Sequence, residues 1–285
     1  MSVKLAITKM IPDKVYLNLM FLKHFHRLIN FRNPKTFNEK LQWLKLYDRN
    51  PLYTKLVAKL EVKKYVAETI GEEYVSPTLG VWEKPEDIDF DSLPDQFVLK
   101  WNHDSGSVVI CKDKSKFNKE EAIAKLQHGK KYNGFWYGRE WPYKNVKPYV
   151  FAEKYMEDSQ TKELRDYKFF CFNGNVKLLF VATDRYTLDC ETKFDFFDAD
   201  FAHLALLNGH PNAEITPVKP KSFDLMKALA ASLSASIPHL RVDFYEVDGK
   251  VYFGEFTFFH YSGFVPFEPK SWDDTLGEWL ELPKK

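Results

Sequence analysis

The chain has 285 residues and almost balanced charge, with 41 Lys and Arg against 40 Asp and Glu, for a net charge of +1. That balance argues against a protein that holds nucleic acid through bulk positive charge. The length allows a large core and two or three lobes, and 45% hydrophobic with 28% charged residues is an ordinary globular composition.

Cysteine content and hydropathy predict the compartment. The three cysteines, Cys111, Cys171 and Cys190, are widely spaced, which gives no disulfide framework and no zinc pattern. No apolar run reaches the roughly 18 residues of a membrane span, and no long apolar segment near the start predicts a signal peptide. We therefore expect a cytoplasmic protein without stable membrane insertion.

The first predicted helix begins near residue 13. Apolar residues recur at spacings of three and four from Tyr16 to Leu28, and Asn33-Pro34 is expected to end the helix. Its basic residues are Lys14, Lys23, Arg27 and Arg32. A basic amphipathic helix suits packing on a neighbour with a solvated basic face, or peripheral contact with a membrane surface.

Two further helices are predicted before residue 75. Thr36 to Glu39 read TFNE, the pattern of a capping box, and predict the start of the second helix. Pro51 fits the first turn of a third helix, LYTKLVAKLEVKKYVAETI, which is expected to end at Gly71.

The pattern then changes to strands. VSPTLGVW, QFVLKW and SVVICKD have the composition of strands, and a helix is expected to open at Asn118 or Lys119. Lys100 ends the second strand and a short polar loop, residues 102–107, follows it. Backbone N–H groups and hydroxyls in such a loop can wrap phosphate oxygens, with a lysine as point charge. A plain polar hairpin loop has the same composition.

The middle of the chain predicts a second charged surface. Residues 132–148 combine aromatic residues with Gly and Pro, which fits an irregular lid or plain packing. YVFAEKYM is strand-like, and Asn173-Gly174 predicts a hairpin between two further strands. Asp166 and Lys168, two residues apart on one arm, share a face. A charged face on a central strand indicates a polyphosphate cleft.

Beyond that hairpin the signals are weaker. One more strand is predicted within residues 189–200. Ser222 is expected to cap a helix that runs to about Ser236.

The hairpin from Leu240 to Thr257 is the most informative stretch. Alternating large apolar residues flank Asp248-Gly249, a strong turn signal. The polar residues on its arms are Arg241, Asp243, Glu255 and Thr257. Two carboxylates can hold Mg²⁺ together with substrate phosphates, and the ion offsets the cost of burying charge. A surface hairpin with solvated charges is the alternative.

The register of this hairpin decides whether the two carboxylates can share a metal. With a two-residue turn and unbroken pairing, the numbers of opposed residues add to 497, and Asp243 and Glu255 face opposite sides. If they add to 498, Asp243 opposes Glu255 and Arg241 opposes Thr257, all on one face. This requires a longer loop or a bulge on one arm. We therefore predict a hairpin that departs from a simple two-residue turn with unbroken pairing.

Three motifs in this order resemble those of ATP-grasp enzymes: Lys100 before NHDSGSVVI, then FAEKYM, then RVDFYEVDGKVYFGEFT. The run NPKTFNEKLQWLKLYDRNPLYTKLVAKLEVKKYV resembles the TupA-like branch, which is named for teichuronopeptide synthesis. Thr257 stands where many of these enzymes have Asn, and its hydroxyl can still ligate Mg²⁺. Ala58 stands where Asp is expected, which puts in doubt a role for its helix in the acceptor site.

The resemblance implies an α+β protein with the ATP-grasp fold, in which two α+β lobes clasp ATP. The implied divisions are a helical N-terminal segment (1–74), a small lobe with the phosphate loop (75–148) and a C-terminal lobe with the adenine hinge and metal hairpin (149–285).

The resemblance also implies the chemistry, an ADP-forming ligation in which ATP phosphorylates a carboxylate and an amine displaces phosphate from the acyl phosphate. ATP and Mg²⁺ are the implied cofactors. The implied ATP-binding residues are Lys100, Ser105, Gly106, Ser107, Glu153, Met156 and Asp166. The implied catalytic residues are Arg241 and Lys168, the metal ligands Asp243, Glu255 and Thr257, and the acceptor contacts Ser262 and Gly263.

The branch resemblance implies a substrate class by analogy. The acid would be a uronic acid of a bacterial capsular or other surface polysaccharide, free, nucleotide-linked or within a glycan, and the amine an amino acid or amino alcohol. A glycosyltransferase that uses Asp198 and Asp200 as a D-x-D pair is an alternative from another class. A non-catalytic nucleotide-binding module is a third, against which Asp243, Glu255 and Arg241 argue.

Overall fold

The structure is a computed structural model and describes residues 8–104, 106–184 and 191–284. Helices and two antiparallel sheets confirm the α+β class. The helices are α1 (Asp13–Phe25), α2 (Phe37–Tyr47), α3 (Leu52–Val57), α4 (Glu61–Ile70), α5 (Lys119–Gly129), α6 (Phe135–Gly138), α7 (Phe223–Ser234) and α8 (Ser271–Trp279). The strands are β1 (Thr78–Trp82), β2 (Phe97–Trp101), β3 (Val109–Cys111), β4 (Val150–Lys154), β5 (Asp166–Phe172), β6 (Asn175–Thr183), β7 (Lys193–Asp198), β8 (His239–Val247) and β9 (Lys250–Thr257).

The small sheet has the strand order β1-β4-β2-β3. Phe97, Leu99 and Trp101 on β2 are buried against α5, so Lys100 points to the other face by alternation. β4 pairs with both β1 and β2, so it belongs to this sheet. The division of the chain into 1–74, 75–148 and 149–285 stays a prediction.

The large sheet has the strand order β7-β6-β5-β8-β9. Asn173 and Gly174 connect β5 to β6 with φ values of 49° and 78°, the left-handed pair of a two-residue hairpin turn. One face of the sheet, including Phe169 and Phe244, packs against α7. The opposite face carries the charged residues of β5 and β8.

The N-terminal helices share one hydrophobic cluster with the large sheet. Leu17 and Phe21 of α1, Leu41 of α2 and Val66 of α4 are fully buried in it. α2 meets the charged face of the sheet, where Phe37 packs against Phe170, whereas α4 contacts α7 on the opposite face. In the described parts of the chain, no helix is long and apolar enough to cross a membrane.

Two predicted helices end earlier than their periodicity suggests. α1 stops at Phe25 because His26 is left-handed, with φ of 56°, and the chain turns so that Ile29 N–H reaches the Asn18 side chain at 3.1 Å. The expected single helix from Pro51 to Gly71 is also wrong. It breaks between α3 and α4, where Lys59 N–H donates to Asn102 O at 3.0 Å.

The helix caps are partly as predicted. Thr36 forms the capping box of α2, and Asn118 caps α5. Ser222 stands at the N-terminus of α7, but its hydroxyl donates to Gly249 O at 3.3 Å instead of capping the helix. The sequence patterns did not predict α8, which Asn38 anchors through two hydrogen bonds to Asp273.

Candidate active site

A cleft of about 630 Å³ lies between the two sheets, a volume typical of small-molecule sites. Residues of both sheets and of the α3–α4 region line it, among them Lys59, Lys63, Lys100, Phe151, Tyr245 and Gly254. The exposed face of the small sheet and the edge of the large sheet thus form one site.

Glu153 joins two lysines on the wall of this cleft. Its carboxylate pairs with Lys100 and, at 2.5 Å, with Lys63, and it accepts a hydrogen bond from Ser76 at 2.6 Å. Burial would raise the pKa of Glu153, but the two ammonium groups lower it to about 2. The carboxylate therefore stays charged and holds two ammonium groups on the wall of the cleft. Two positive charges there suit a phosphate-bearing ligand.

Lys59 connects the predicted phosphate loop, residues 102–107, to the hairpin. Its ammonium donates to Asp104 O at 2.6 Å and lies 3.6 Å from Glu255 Oε2. Sequence reasoning missed Lys59 and Lys63 because both fell inside an expected continuous helix. Their spacing of four residues, immediately after Ala58, is the signal that could have found them.

The polar loop after β2 is in place beside the cleft. Its base is tied by Asn102, whose side chain bonds Lys147 O at 2.9 Å and Tyr149 N–H at 2.8 Å. Gly106 is exposed. Ser107 packs closely on Gly129, where the Cβ of any other residue would overlap the Ser107 hydroxyl. Ser105 lies outside the described residues.

The hinge between the sheets supplies the other end of the cleft. Met156 lines it together with Tyr155 and Leu164, so the predicted adenine position is an apolar surface next to the cationic wall. Asp166, predicted near the ribose, is buried instead, with its carboxylate 3.2 Å from Lys168. The structure therefore brings Met156 to the cleft surface and leaves Asp166 behind it.

The hairpin β8–β9 has the register that a shared site requires. Asp243 opposes Glu255 and Arg241 opposes Thr257, whereas Phe244 opposes Phe253. The one-residue shift is a bulge at Gly254, and the turn itself has two residues. The prediction of broken pairing is confirmed, and the four polar side chains lie on one face.

Asp243 is fully buried at the centre of an ionic network. Arg241 donates to both its oxygens, Nε to Oδ1 and Nη2 to Oδ2, each at 2.7 Å. Lys168 also donates to Oδ2. Glu255 is less tightly held, with Arg241 Nη2 at 3.7 Å.

His260 fixes the other side of the Arg241 guanidinium. Arg241 Nη1 lies 2.8 Å from His260 Nδ1, and His260 Nε2 lies 2.8 Å from Asn208 Oδ1. Because arginine only donates, Nδ1 accepts and the ring proton is on Nε2. Burial and the nearby Arg241 charge lower the pKa of His260 well below its usual value. The sequence carried no pattern that singled out this histidine.

The hairpin carries oxygen ligands of the kind that Mg²⁺ prefers, and they lie on the same face. Asp243 and Glu255 supply hard oxygen ligands on one face, and Thr257 adds a hydroxyl beside them. Within residues 8–104, 106–184 and 191–284, no group of three or more carboxylate, imidazole or thiol side chains has metal-binding geometry. Asp243 would have to exchange its cationic partners to ligate an ion.

The loop after β9 is strained and is held from α2. Tyr261, Ser262 and Gly263 all have positive φ, at 47°, 53° and 62°. Gln42 donates to the carbonyls of Ser262 and Gly263 at 3.0 and 2.9 Å, and Lys45 donates to Ser262 O at 2.7 Å. Such strain persists only where neighbours enforce it, commonly at functional sites.

The polar groups of Ser262 are bonded within the protein. Its hydroxyl donates to Glu140 and its N–H donates to Phe259 O. Burial raises the pKa of Glu140, and the nearby Lys45 opposes that rise. The assignment of Ser262 and Gly263 as acceptor contacts stays a prediction.

A family model described as TupA-like ATP-grasp matches residues 39–281. The chain belongs to the TupA-like ATP-grasp family. The match spans the cationic wall, the hinge, the hairpin and the loop after it, so the residues above are those of an ATP-grasp protein. No curated protein matches the chain.

Several solved structures are similar to this chain at low identity. An L-amino acid ligase from Bacillus licheniformis has 13% identity and a TM-score of 0.48, over 87% of this chain and 55% of that one. The D-cycloserine synthetase DcsG has 16% identity and a TM-score of 0.45, over 81% and 72%. The ATP-grasp ligase PsnB with minimal precursor, Mg and ADP has 11% identity and a TM-score of 0.41, over 78% and 57%. The chain thus spans a little over half the length of PsnB.

The D-x-D candidate in this TupA-like ATP-grasp protein forms a turn. Asp198 Oδ1 accepts from the backbone N–H groups of Asp200 and Ala202 at 2.9 and 2.8 Å. The Asp200 side chain is exposed and lies 3.6 Å from Lys227. Asp198 therefore ends β7 and Asp200 follows it, at the edge of the large sheet opposite to β9.

Proposed function

We propose that this protein is an ATP-dependent carboxylate–amine ligase that forms an amide through an acyl phosphate and releases ADP. The observation that carries the proposal is the one-face arrangement of Arg241, Asp243 and Glu255 on a bulged hairpin. That face adjoins a cleft whose other wall carries Lys63 and Lys100. Phosphoryl transfer needs positioning and charge neutralisation rather than covalent chemistry by the protein.

In this proposal the cleft orients ATP from three sides. The hinge at Met156 takes the adenine, and Lys63 and Lys100 contact phosphate oxygens. The loop at Gly106 and Ser107 covers the phosphates with backbone N–H groups. Glu153 keeps both lysines in place, because its carboxylate stays ionised at all pH values above about 2.

At the hairpin, Asp243 and Glu255 would hold Mg²⁺, with Thr257 beside them. The ion, when bound, neutralises charge on the β- and γ-phosphates. Arg241 places a positive guanidinium on the same face, where negative charge develops during transfer. Lys168 supplies a second positive charge, and its ammonium lies 3.2 Å from the carboxylate of Asp166.

We further propose a uronic acid of a bacterial surface polysaccharide as the carboxylate and an amino acid or amino alcohol as the amine, used in the cytoplasm. Membership in the TupA-like family supports this substrate class. The fold alone would not support it, because one fold hosts many functions. The strained loop at Ser262, next to the hairpin, is the proposed acceptor side of the site.

An ATP-consumption screen tests the proposal, with uronic acids crossed against amines and mass detection of the condensed product. We expect ADP and phosphate only when both co-substrates are present. AMP as the stoichiometric product, or nucleotide release from a sugar donor without ATP, would overturn it. Glu255→Gln should abolish turnover, and Asp198→Ala serves as the matched carboxylate control that leaves it nearly intact.

A further inference from the structure

Helix α1 exposes an apolar stripe on its outer face. Val15, Leu19 and Leu22, spaced by four and three residues, are 49%, 52% and 42% exposed, so they lie on one side of the helix. Leu17 and Phe21 on the inner side are fully buried. A helix that is apolar on both sides is normally covered on both, and here the outer side faces solvent.

The stripe continues into the segments that flank α1. Met10 is 86% exposed and Leu28 is 62% exposed. Five large exposed apolar side chains thus fall within residues 10–28. Scattered single residues of this kind are ordinary, but a contiguous group marks an interaction surface.

The charge of this region differs from that of the whole chain. Residues 8–35 contain six Lys and Arg residues but a single acidic residue, whereas the full chain is balanced at 41 to 40. The acidic residue, Asp13, is paired with Arg139 at 3.1 Å. Lys14 and Lys23 are exposed beside the stripe. The surface is therefore apolar with a positively charged border.

We propose that α1 docks the protein on an anionic lipid bilayer, with the stripe at the level of the headgroups and the basic border toward lipid phosphates. Apolar burial and electrostatic attraction to anionic lipids together drive this mode of binding. A second copy of the chain fits less well, because a symmetric dimer through the same patch would bring two basic borders together.

The docking surface is connected to the acceptor side of the cleft. Tyr16 Oη donates to Tyr137 O at 2.8 Å, and Arg139 donates to the carbonyls of Thr8 and Ile11. The ring of His24 stacks on Phe264, directly after the strained loop, at 5.8 Å. His24 lies nine residues after Val15, on the side of the helix opposite the stripe, so α1 would stand between a bound bilayer and the loop at Ser262. The proposal stands whether or not the ligase function holds.

Vesicle co-sedimentation of the full chain tests it, with phosphatidylcholine vesicles against vesicles rich in phosphatidylglycerol. We expect binding to the anionic vesicles only, and release in high salt because the charge attraction is screened. Lys23→Glu should weaken binding about tenfold or more, and Leu19→Glu should abolish it. Leu225→Glu on α7, where the leucine is similarly exposed, is the matched control and should bind as the unaltered protein does.

Thermal unfolding of each variant checks that the fold is retained. Equal binding to neutral and anionic vesicles, no binding to either, or unchanged binding by Leu19→Glu would each overturn the proposal. Light scattering after gel filtration tests whether a second copy of the chain covers the stripe. A dimer that Leu19→Glu converts to a monomer would assign the stripe to a second copy instead.

Discussion

Two buried carboxylates, one on each sheet, hold pairs of cations in opposite ways. Glu153 on β4 supports Lys63 and Lys100, whose side chains remain 15% and 24% exposed on the cleft wall. Asp243 on β8 is enclosed by Arg241 and Lys168, which are only 9% and 8% exposed. The first group presents positive charge to a ligand, and the second uses its positive charge internally.

This difference predicts that the two ends of the cleft respond differently to ligands. The Glu153 group can accept phosphate oxygens without breaking a contact, because both lysines already face the cleft. The Asp243 group must exchange partners before its carboxylate can ligate a metal, since Arg241 occupies both oxygens.

Removing the charge of Asp243 should have the largest effect. Asp243→Asn leaves Arg241 and Lys168 buried without a carboxylate, and breaking such a group costs about 3–5 kcal/mol. Glu255→Gln is the matched control: it should change the free energy of unfolding by less than about 1 kcal/mol because Glu255 is partly exposed and its ion pairs are long. Urea unfolding measures both. Equal stabilities would show that the buried network does not hold the hairpin.

Acid should weaken the Glu153 group next. The pKa of Glu153 is lowered to about 2 in the folded protein from a usual 4.5. Its contribution to stability is therefore complete above pH 4.5 and is lost as the pH falls toward 2. The loss is up to about 3 kcal/mol. Unfolding measured from pH 6 to 2 should show a steeper loss of stability in the unaltered protein than in Glu153→Gln, which keeps the acid dependence of other carboxylates such as Asp158, whose pKa is also lowered to about 2. Parallel curves would contradict the prediction.

Nucleotide affinity distinguishes the cleft wall from the interior. Lys100→Ala removes a cation that faces the ligand, and we expect ATP to bind about tenfold more weakly or worse, since a charge-assisted hydrogen bond contributes about 1.5–3 kcal/mol. Lys119→Ala on α5, where the lysine pairs with Asp91 outside the cleft, is the control. Isothermal titration measures both; equal affinities would remove Lys100 from the nucleotide site.

Replacing His260 should have a smaller effect than the three changes above. His260→Gln removes the ring that accepts from Arg241, at a cost of about 1–2 kcal/mol in stability. Because only the orientation of Arg241 changes, we expect a lower kcat with the ATP affinity unaltered. A variant that loses ATP affinity and leaves kcat unchanged would place His260 in support of binding instead.

The sequence predicted the hairpin register well, because the face on which a strand residue lies depends only on how many residues separate it from the turn. Across a two-residue turn, Asp243 and Glu255 can share a face only if one arm carries an extra residue, and the bulge at Gly254 on β9 supplies it. Likewise, TFNE predicted the start of α2, because a capping box is complete within four residues. The order of strands along the chain followed from strand-forming composition and from the turn signals between them.

The features that the sequence did not predict depend on distant contacts. The break after Val57 exists because Lys59 N–H bonds Asn102 O on the small sheet, and no helical pattern records that partner. The same holds for His260, which matters through Asn208 and Arg241, and for β4, whose sheet is decided by pairing. Much of the candidate site is therefore visible in the motifs, whereas its supporting contacts are not.

The way in which α2 holds the strained loop determines which positions of this proposed acceptor loop can vary. Gln42 and Lys45 hold this loop through backbone carbonyls, so the attachment does not depend on which side chains the loop carries. Tyr261 and Ser262 can then be exchanged while the loop keeps its place, within the small set of residues that tolerate positive φ. The position of the proposed acceptor loop is therefore set by α2, and its side chains can change one at a time while the backbone stays in place.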